Sequence, residues 1–273
     1  MTRLKVNDIA DIAEHLPQYE ERLLRQTGRT LKGIACHALE INQDDILAMT
    51  KHVKVCVIPF SCGRGIISGF AHAVAEITAY MGFASYVTED SDVQGLADAF
   101  TRKADIIFLA DDERFITVNL HTRRVSDNGE MTAKGFVAGL ELMAGGLKNR
   151  SVLVIGCGPV GRAAVKALLA LKAKVAVYDI AIDQSQKLLA HLKGGVKIET
   201  DLSLALKRYH LLLDAAPAKN IIDTDAVSAK TIVVAPGMPC GATPQAAAKL
   251  GERLLHDPLQ IGVACMLADA IAR

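Results

Sequence analysis

A glycine-rich turn carries the clearest chemical signal in this sequence. Residues 156–161 read Gly-Cys-Gly-Pro-Val-Gly, which is a GxGxxG pattern. The pattern alone is common, but here it directly follows an apolar run, Ser151–Ile155, and directly precedes a segment with helical periodicity. The next apolar run ends in an acid, Asp179. A strand, a glycine turn, a helix and a second strand that ends in an acid are together typical of a dinucleotide-binding site.

The glycines of this turn have separable roles. Gly156 allows the tight turn, Gly158 lets the backbone approach a pyrophosphate, and Gly161 allows the helix to pack closely against the strand. Pro159 and Val160 begin the helix, whose N-terminal N–H groups are expected to face the phosphates. In the alternative interpretation the glycines serve only a tight corner between strand and helix.

The residues around the acid favour NAD over NADP. Asp179 is placed to accept hydrogen bonds from the hydroxyls of the adenosine ribose. The residues that follow it, Ile180, Ala181 and Ile182, supply no cation for the 2′-phosphate of NADP. We therefore expect NAD as the cofactor.

Two later strand ends fit the same cofactor site. Ala215, Ala216 and Pro217 follow one predicted strand, and Pro236 and Gly237 follow another. Cofactors bind at the carboxyl ends of parallel strands, where small residues can border the two riboses without a steric clash. These segments are equally consistent with ordinary loops.

The first half of the chain offers candidate substrate-binding residues in a second glycine-rich turn. Ser61, Cys62 and Arg64 follow a strand predicted at residues 53–59 and precede a helix predicted at residues 66–81. N–H groups at a helix start, together with a guanidinium group, can bind an anion such as a carboxylate. An exposed loop with an incidental arginine is the alternative.

An acidic pair ends another strand, predicted at residues 105–109. Asp111 and Asp112 can hold an ammonium group there, although a solvated pair of acids fits the pattern equally well. The eight histidines show no metal-ligand spacing, so we predict no metal site. The six cysteines form no CxxC pair and are expected to be reduced thiols.

Composition excludes several classes of protein. The chain has 273 residues, of which 51% are apolar, so it is neither disordered nor fibrous. Its 31 Lys and Arg residues nearly balance 30 Asp and Glu residues, which gives no electrostatic reason to expect nucleic acid or an anionic membrane as a partner. Without an apolar leader or a long uncharged apolar run, a cytoplasmic location is expected.

The order of predicted elements indicates two α/β domains. Residues 1–130 contain N-terminal helices, one of them split by Pro17, followed by a β-α-β-α-β series that predicts a small parallel sheet. Residues 131–273 repeat the strand-helix alternation and predict a doubly wound Rossmann domain that binds NAD. A helix at residues 131–146 bridges the two. The first domain is expected to bind the substrate and carry the catalytic residue, with the substrate in the cleft facing the nicotinamide.

The chain resembles the PylD family, the dehydrogenases of pyrrolysine biosynthesis. The resemblance covers almost the whole chain and rests on segments in the same order. They are Leu4, residues 58–59, 63–67, 110–112, 119–120, 127–128, 152–161, 178–179, 236–240 and 258–262.

The resemblance implies an activity and roles for individual residues. The implied reaction is NAD-dependent oxidation of the ornithine side-chain amine of lysine-N6-(3-methyl)-D-ornithine to an imine, which hydrolyses to a semialdehyde with loss of ammonia. The semialdehyde then cyclises to the pyrroline ring. Asp111 would contact the substrate amine as the catalytic residue, and Leu4 would belong to a helix that closes over the substrate. Asn119 and Asn128 would lie on the substrate side. A homodimer is expected from the family and from the frequency of dimers among soluble proteins.

The second glycine-rich turn departs from the family pattern. The family has a Ser before the first glycine and an Asn between the two glycines, where this chain has Cys62 and Arg64. A guanidinium group is larger than an amide and permanently charged. Either the same substrate is bound differently, or the protein is another NAD-dependent amino-acid or cyclic-imine dehydrogenase. A non-catalytic NAD-sensing protein is a third possibility, because the fold alone does not require catalysis.

Overall fold

The structure is a computed structural model that describes residues 4–192 and 195–272. It is an α/β protein with two sheets. The strands are β1 Lys54–Ile58, β2 Ala84–Val87, β3 Ile106–Ala110, β4 Phe115–Asn119, β5 Val125–Asp127, β6 Ser151–Ile155, β7 Lys174–Tyr178, β8 Val196–Ile198, β9 Leu211–Asp214, β10 Ile232–Ala235 and β11 Leu254–His256. The α-helices are α1 Val6–Ile9, α2 Ile12–Thr27, α3 Leu31–Leu39, α4 Gln43–Met49, α5 Phe70–Tyr80, α6 Asp92–Thr101, α7 Asn128–Ala144, α8 Pro159–Ala170, α9 Ile182–Ala190, α10 Leu202–Arg208, α11 Pro244–Leu250 and α12 Gln260–Ile271.

The N-terminal helices differ from the prediction at Pro17. The predicted break at this proline is wrong, because α2 runs through it and the chain breaks instead at residues 10–11, between α1 and α2. A proline inside a helix removes one backbone hydrogen bond. Tertiary packing supplies most helical stability in proteins and compensates for that loss. The residues of α2 that are buried in this packing are Ile12, Leu16, Tyr19, Leu23 and Thr27.

The first sheet has the order β2-β1-β3-β4-β5. Its first three strands are parallel, as predicted, whereas β4 and β5 add an antiparallel edge. The reason lies in the connections. Only residues 111–114 separate β3 from β4, and a parallel crossover needs about a dozen residues or more.

The second sheet has the order β11-β10-β9-β6-β7-β8, with all strands parallel. The chain starts in the middle at β6, winds outwards to β8, returns beside β6 as β9 and winds outwards again. This is the strand order of the Rossmann fold. The central strands are buried on both faces, which explains their continuous apolar sequences.

The last helix, α12, returns to the first sheet. All its residues are buried, and it packs against α3, α5, α7, β4 and β5. A helix that is apolar on all sides is typical of a position inside the core. The sequence had left its packing open. The division of the chain between residues 130 and 131 remains a prediction. Although α12 lies after this boundary in the sequence, it packs against elements that lie before it.

A buried hydrogen bond ties the N-terminal helices to the start of α12. The Tyr19 hydroxyl donates to Oδ2 of Asp257 at 2.7 Å, and Oδ1 of Asp257 accepts the N–H groups of Leu259 and Ile261 at 3.0 and 3.3 Å. Burial raises the pKa of Asp257 and also raises the pKa of the Tyr19 hydroxyl. The carboxyl group therefore depends on these few donors in place of water.

Replacing Tyr19 with phenylalanine is expected to lower the free energy of unfolding by about 1–3 kcal/mol, because a buried acceptor loses its partner. Urea denaturation of the variant measures the loss. Tyr80→Phe is the matched control, since the Tyr80 hydroxyl donates to Glu20 at 2.8 Å from an exposed position. Its loss should stay below about 1 kcal/mol. Equal losses of unfolding free energy in the two variants would show that the buried hydrogen bond stabilises the protein no more than the exposed one.

Candidate functional site

A cavity of about 550 Å³ lies where the carboxyl ends of the strands of both sheets meet. One side is formed by the ends of β1 and β3 and the start of α7. The other side is formed by the turn after β6 and by the loops after β9 and β10. In open α/β sheets this edge is where ligands bind.

The glycine turn after β6 has the steric requirements that the sequence predicts. Gly156 has a φ of +92°, a conformation that favours glycine. A Cβ atom on Gly161 would overlap the carbonyl oxygen of Gly156, so this position allows the close contact between α8 and β6. A Cβ atom on Gly158 would meet no protein atom within 4 Å, and Gly158 lines the cavity together with Pro159 and Val160.

Asp179 braces this turn. Its Oδ2 accepts the N–H group of Cys157 at 2.7 Å, and its Oδ1 accepts the N–H group of Ala181 at 2.9 Å. The neighbouring Ile180 is 92% exposed, and Nε of Arg162 donates to the carbonyl oxygen of Cys157 on the same turn at 2.9 Å. The hydrogen bond from Asp179 to a ribose stays a prediction, but the carboxylate is held at the expected strand end.

The loops after β9 and β10 both reach the cavity. The residues of these loops that line it are Ala215, Pro217, Pro236, Gly237 and Met238. Ala216 lies behind them, where its N–H group donates to the Asp214 carboxylate at 3.2 Å. Four of the five predicted residues of these loops therefore line the cavity, and the fifth holds a loop in place.

The second glycine-rich turn does not lead directly into a helix. The predicted helix start at residue 66 is wrong, because α5 begins at Phe70. Gly63, Gly65 and Gly69 have φ values of +68°, +80° and +83°, and a right-handed helix cannot continue through such residues. The N–H groups of this turn consequently do not belong to the N-terminus of α5.

These N–H groups contact carboxylates of the chain itself. The backbone N–H and the hydroxyl of Ser61 donate to Asp92 at 2.8 and 2.6 Å, and the N–H of Arg64 donates to Oδ2 of Asp112 at 2.6 Å. Cys62 is exposed and lines the cavity. The turn therefore can bind carboxylates, but in this conformation Asp92 and Asp112 occupy those donors.

Asp111 lies at the carboxyl end of β3 with its side chain fixed by the following turn. Its Oδ1 accepts the N–H groups of Glu113 and Arg114 at 2.8 and 2.7 Å. Asp111 and Asp112 both line the cavity. An oriented carboxylate at this position can bind an ammonium group or accept a proton from one.

Of the remaining candidates, Leu4 and Asn128 line the cavity, whereas Asn119 does not. The Asn119 amide is buried and donates to the carbonyl oxygen of Ala270 at 2.9 Å. Because β4 runs antiparallel to β3, its last residue pairs with Ile106 at the beginning of β3, away from the cavity. The expectation that Asn119 lies on the substrate side is therefore corrected: it secures α12.

Sequence reasoning missed the apolar wall of the cavity. The residues of this wall are Phe60, Ile66, Ile67, Phe70, Phe115, Pro258 and Leu259. The rings of Phe70 and Phe115 meet edge to face, with centroids 5.2 Å apart. Ile66 and Ile67 had been assigned to a helix, and this hid their position on a loop at the cavity. Apolar surface beside acids suits a ligand with an aliphatic chain and an amine.

Across residues 4–192 and 195–272, no group of three or more His, Cys, Asp or Glu side chains is arranged to hold a metal ion. Over the same ranges, none of the helices combines the length and the apolar character that a membrane crossing requires. The six cysteines are free thiols in the structure.

Comparison with known proteins relates the chain to one family over nearly its whole length. Residues 8–126 match the family model "Pyrrolysine biosynthesis protein PylD, N-terminal domain", and residues 127–247 match "Alanine dehydrogenase/PNT, C-terminal domain". Pyrrolysine synthase of Methanosarcina barkeri (strain Fusaro) is 30% identical over 273 residues, covering 99% of this chain and 98% of that protein. Pyrrolysine synthase of Methanosarcina acetivorans is 28% identical over 270 residues, covering 98% of each protein.

Solved structures show the same fold at low sequence identity. Shikimate dehydrogenase from Aquifex aeolicus has a TM-score of 0.55 and 17% identity, covering 80% of this chain and 91% of that one. Quinate dehydrogenase from Corynebacterium glutamicum, solved in complex with NAD, has a TM-score of 0.55 and 18% identity, covering 80% of this chain and 92% of that one. The near-complete match to the pyrrolysine synthases goes beyond shared fold, and the chain is an oxidoreductase that belongs to the PylD family.

Proposed function

We propose that this oxidoreductase uses NAD to oxidise the ornithine side-chain amine of lysine-N6-(3-methyl)-D-ornithine in pyrrolysine biosynthesis. The carbon that bears the amine loses a hydride to give an imine, and water converts the imine to a semialdehyde with release of ammonia. The aldehyde then condenses with the α-amine of the same ornithine unit, and loss of water leaves the pyrroline ring. The observation that carries the proposal is one cavity with the glycine turn on one side and Asp111 on the other, in a chain of this family.

The residues present fit a nicotinamide cofactor. Gly158 faces open space at the cavity where a side chain would otherwise project, and α8 begins directly behind it. We assign the pyrophosphate to the turn at residues 156–161, the adenosine ribose to Asp179 and the nicotinamide end to the loops after β9 and β10. When bound, the nicotinamide ring supplies the hydride acceptor.

The chain's own residues bind the amine and limit access of water. The Asp111 carboxylate faces the cavity from the opposite sheet and binds the substrate amine in its ammonium form. It takes up a proton as the amine becomes uncharged, which hydride loss from the neighbouring carbon requires. The apolar wall packs against the aliphatic part of the substrate, while Leu4 closes the cavity from the N-terminal side.

Replacing Ile180 with arginine and Asp179 with serine is expected to shift the kcat/KM ratio for NAD over NADP by about 100-fold towards NADP, since two charge effects of about 1.4 kcal/mol each combine. Ile180→Arg alone is the matched control, because it retains the Asp179 contact to the Cys157 N–H and should shift the ratio less. A wild-type protein that prefers NADP would contradict the assignment of Asp179 to the ribose.

The reaction itself is tested by absorbance at 340 nm. Purified protein, NAD and the lysine-ornithine precursor should produce NADH and a pyrroline product, whereas NADP and free D-ornithine should not. NAD binding without turnover of the precursor would leave the cofactor assignment intact and reject the substrate. A homodimer and a cytoplasmic location belong to the same proposal, and light scattering of the purified protein tests the first of them.

One observation favours a second candidate function. Arg64 stands where the family has an amide, and its backbone N–H binds Asp112 at the edge of the cavity. A guanidinium group in this turn can bind a substrate that carries a second carboxylate, or a substrate whose carboxylate has a different orientation. Turnover of another amino acid or cyclic imine, with the precursor inactive, would support a different NAD-dependent dehydrogenase.

A further inference from the structure

Asp214, the last residue of β9, connects the two loops that form the nicotinamide end of the cavity. It is 0% exposed. Its Oδ1 accepts the N–H of Ala216 at 3.2 Å, in the loop of residues 215–217 that we call the β9 loop. Its Oδ2 accepts the N–H of Gly241 at 2.9 Å, in the loop of residues 236–241 that we call the β10 loop. One carboxylate therefore bonds to both loops.

The contact between the loops is tight as well as polar. The backbone carbonyl of Asp214 accepts the N–H of Gly237 at 2.9 Å. A Cβ atom on Gly237 would overlap the carbonyl oxygen of Ala216, and a Cβ atom on Gly241 would overlap the Asp214 carboxylate. The spacing of the loops is thus set by backbone groups around a single side chain.

We propose that Asp214 is a positioning residue whose ionised carboxylate fixes the separation of the β9 and β10 loops, and so the width of the cofactor end of the cavity. This inference rests on the proposed function, because it takes the cofactor to bind between these loops. Ala215 and Pro217 line the cavity from one loop, and Pro236 and Gly237 from the other. A change in loop separation therefore reaches the cavity directly.

The need for a carboxylate follows from the donors around it. The N–H groups of Ala216 and Gly241 approach different oxygens of this carboxylate, and only the ionised form offers both oxygens without a proton of its own. An asparagine side chain would turn its NH₂ group towards one of the two N–H groups. Because two donors repel each other, that loop would move away from residue 214. A protonated Asp214 can accept both bonds only if its O–H group turns away from them.

Burial raises the pKa of Asp214 to about 6, although the bonds from Ala216 and Gly241 favour the charged form. Within the described chain, the titratable group that interacts with it is the Cys240 thiol, whose own pKa is raised by burial and by the charge of Asp214. That thiol is neutral below pH 8. The group that changes charge near pH 6 in this pair is consequently Asp214.

The experiment compares NAD affinity of the wild type, Asp214→Asn and Asp183→Asn by calorimetry between pH 5 and 8. In the wild type, the NAD dissociation constant should rise about tenfold as the pH falls from 7.5 to 5, corresponding to about 1.4 kcal/mol. Asp214→Asn should bind about tenfold more weakly at pH 7.5 and show no transition near pH 6. Asp183, an exposed acid on α9, is the control and its variant should match the wild type.

Hydrogen exchange of the protein without NAD gives a second readout. Backbone amides of both loops should exchange faster in Asp214→Asn than in the wild type at pH 7.5, with the rest of the second sheet unchanged. If Asp214→Asn does not fold, Gly241→Ala takes its place, because its Cβ displaces the carboxylate and should weaken NAD binding and speed exchange in the same loops.

The outcomes separate the two proposals. Wild-type affinity and an unchanged pH profile in a folded variant would overturn the role of Asp214 while NAD binding stands. The role of Asp214 would also be overturned if Asp214→Asn were less stable than the wild type but its NAD affinity still changed near pH 6. Asp214 would then contribute only to stability. Absence of NAD binding by the wild type would instead refute the proposed function, and loop exchange would still test whether Asp214 holds the loops.

Discussion

Asp111→Asn is expected to lower kcat for the lysine-ornithine precursor by about 100- to 10,000-fold, which is the range for loss of a positioned acid or base. Oδ1 of Asp111 accepts two backbone N–H groups, and the amide oxygen of asparagine can accept the same bonds, so the turn after β3 should persist. In the proposed mechanism, the variant lacks the charge that binds the ammonium group and the site that takes up its proton. NAD affinity should stay within about twofold of the wild type, since the residues proposed to bind the cofactor lie on the other sheet.

Asp105→Asn provides a matched control for this prediction. Asp105 directly precedes β3 whereas Asp111 directly follows it, and the Asp105 carboxylate accepts the Lys54 N–H at 2.7 Å. The two acids therefore lie at opposite ends of one strand, and only Asp111 is at the cavity. The control should retain wild-type kcat. Unchanged turnover by Asp111→Asn would remove this residue from the mechanism, and a protein whose cellular role survives the change would favour the NAD-sensing alternative.

The sequence predicted the second sheet well because its signals are local. The apolar run of β6, the glycine turn and the acid after β7 follow each other within about 30 residues, and each has a steric or electrostatic reason that does not depend on the rest of the chain. The structure confirms the strand-helix alternation of residues 151–214. The family resemblance added Leu4 and Asn128, whose place at the cavity no local pattern indicates.

The features that the sequence did not predict depend on contacts between distant segments. Asn119 was placed by resemblance, and its position at the far end of β4 became clear only from the antiparallel pairing with β3. Residues 66–69 were predicted to be helical because Ile66 and Ile67 extend the apolar pattern of α5, whereas positive φ at three glycines keeps this loop irregular. Asp214 ends a predicted strand, but one of its two side-chain hydrogen bonds joins it to Gly241, 27 positions away along the chain.

Two alanine substitutions in the glycine turn are expected to separate cofactor binding from folding. Gly158→Ala should weaken NAD binding by about 10- to 100-fold, the effect of about 1–3 kcal/mol of steric overlap with the pyrophosphate. Its φ of −68° suits alanine and no protein atom lies within 4 Å of the new methyl group, so the midpoint of thermal unfolding should not fall. Calorimetric titration with NAD and thermal unfolding measure the two quantities.

Gly161→Ala should instead destabilise the protein, because its methyl group would overlap the carbonyl oxygen of Gly156 and push α8 away from β6. We expect a loss of about 1–3 kcal/mol or more in the free energy of unfolding, with NAD binding weakened as a consequence. The test is which quantity changes more in each variant. Gly158→Ala should mainly weaken NAD binding, and Gly161→Ala should mainly lower the free energy of unfolding. If Gly158→Ala binds NAD as the wild type does, the pyrophosphate does not approach this residue and the cofactor must lie elsewhere in the cavity.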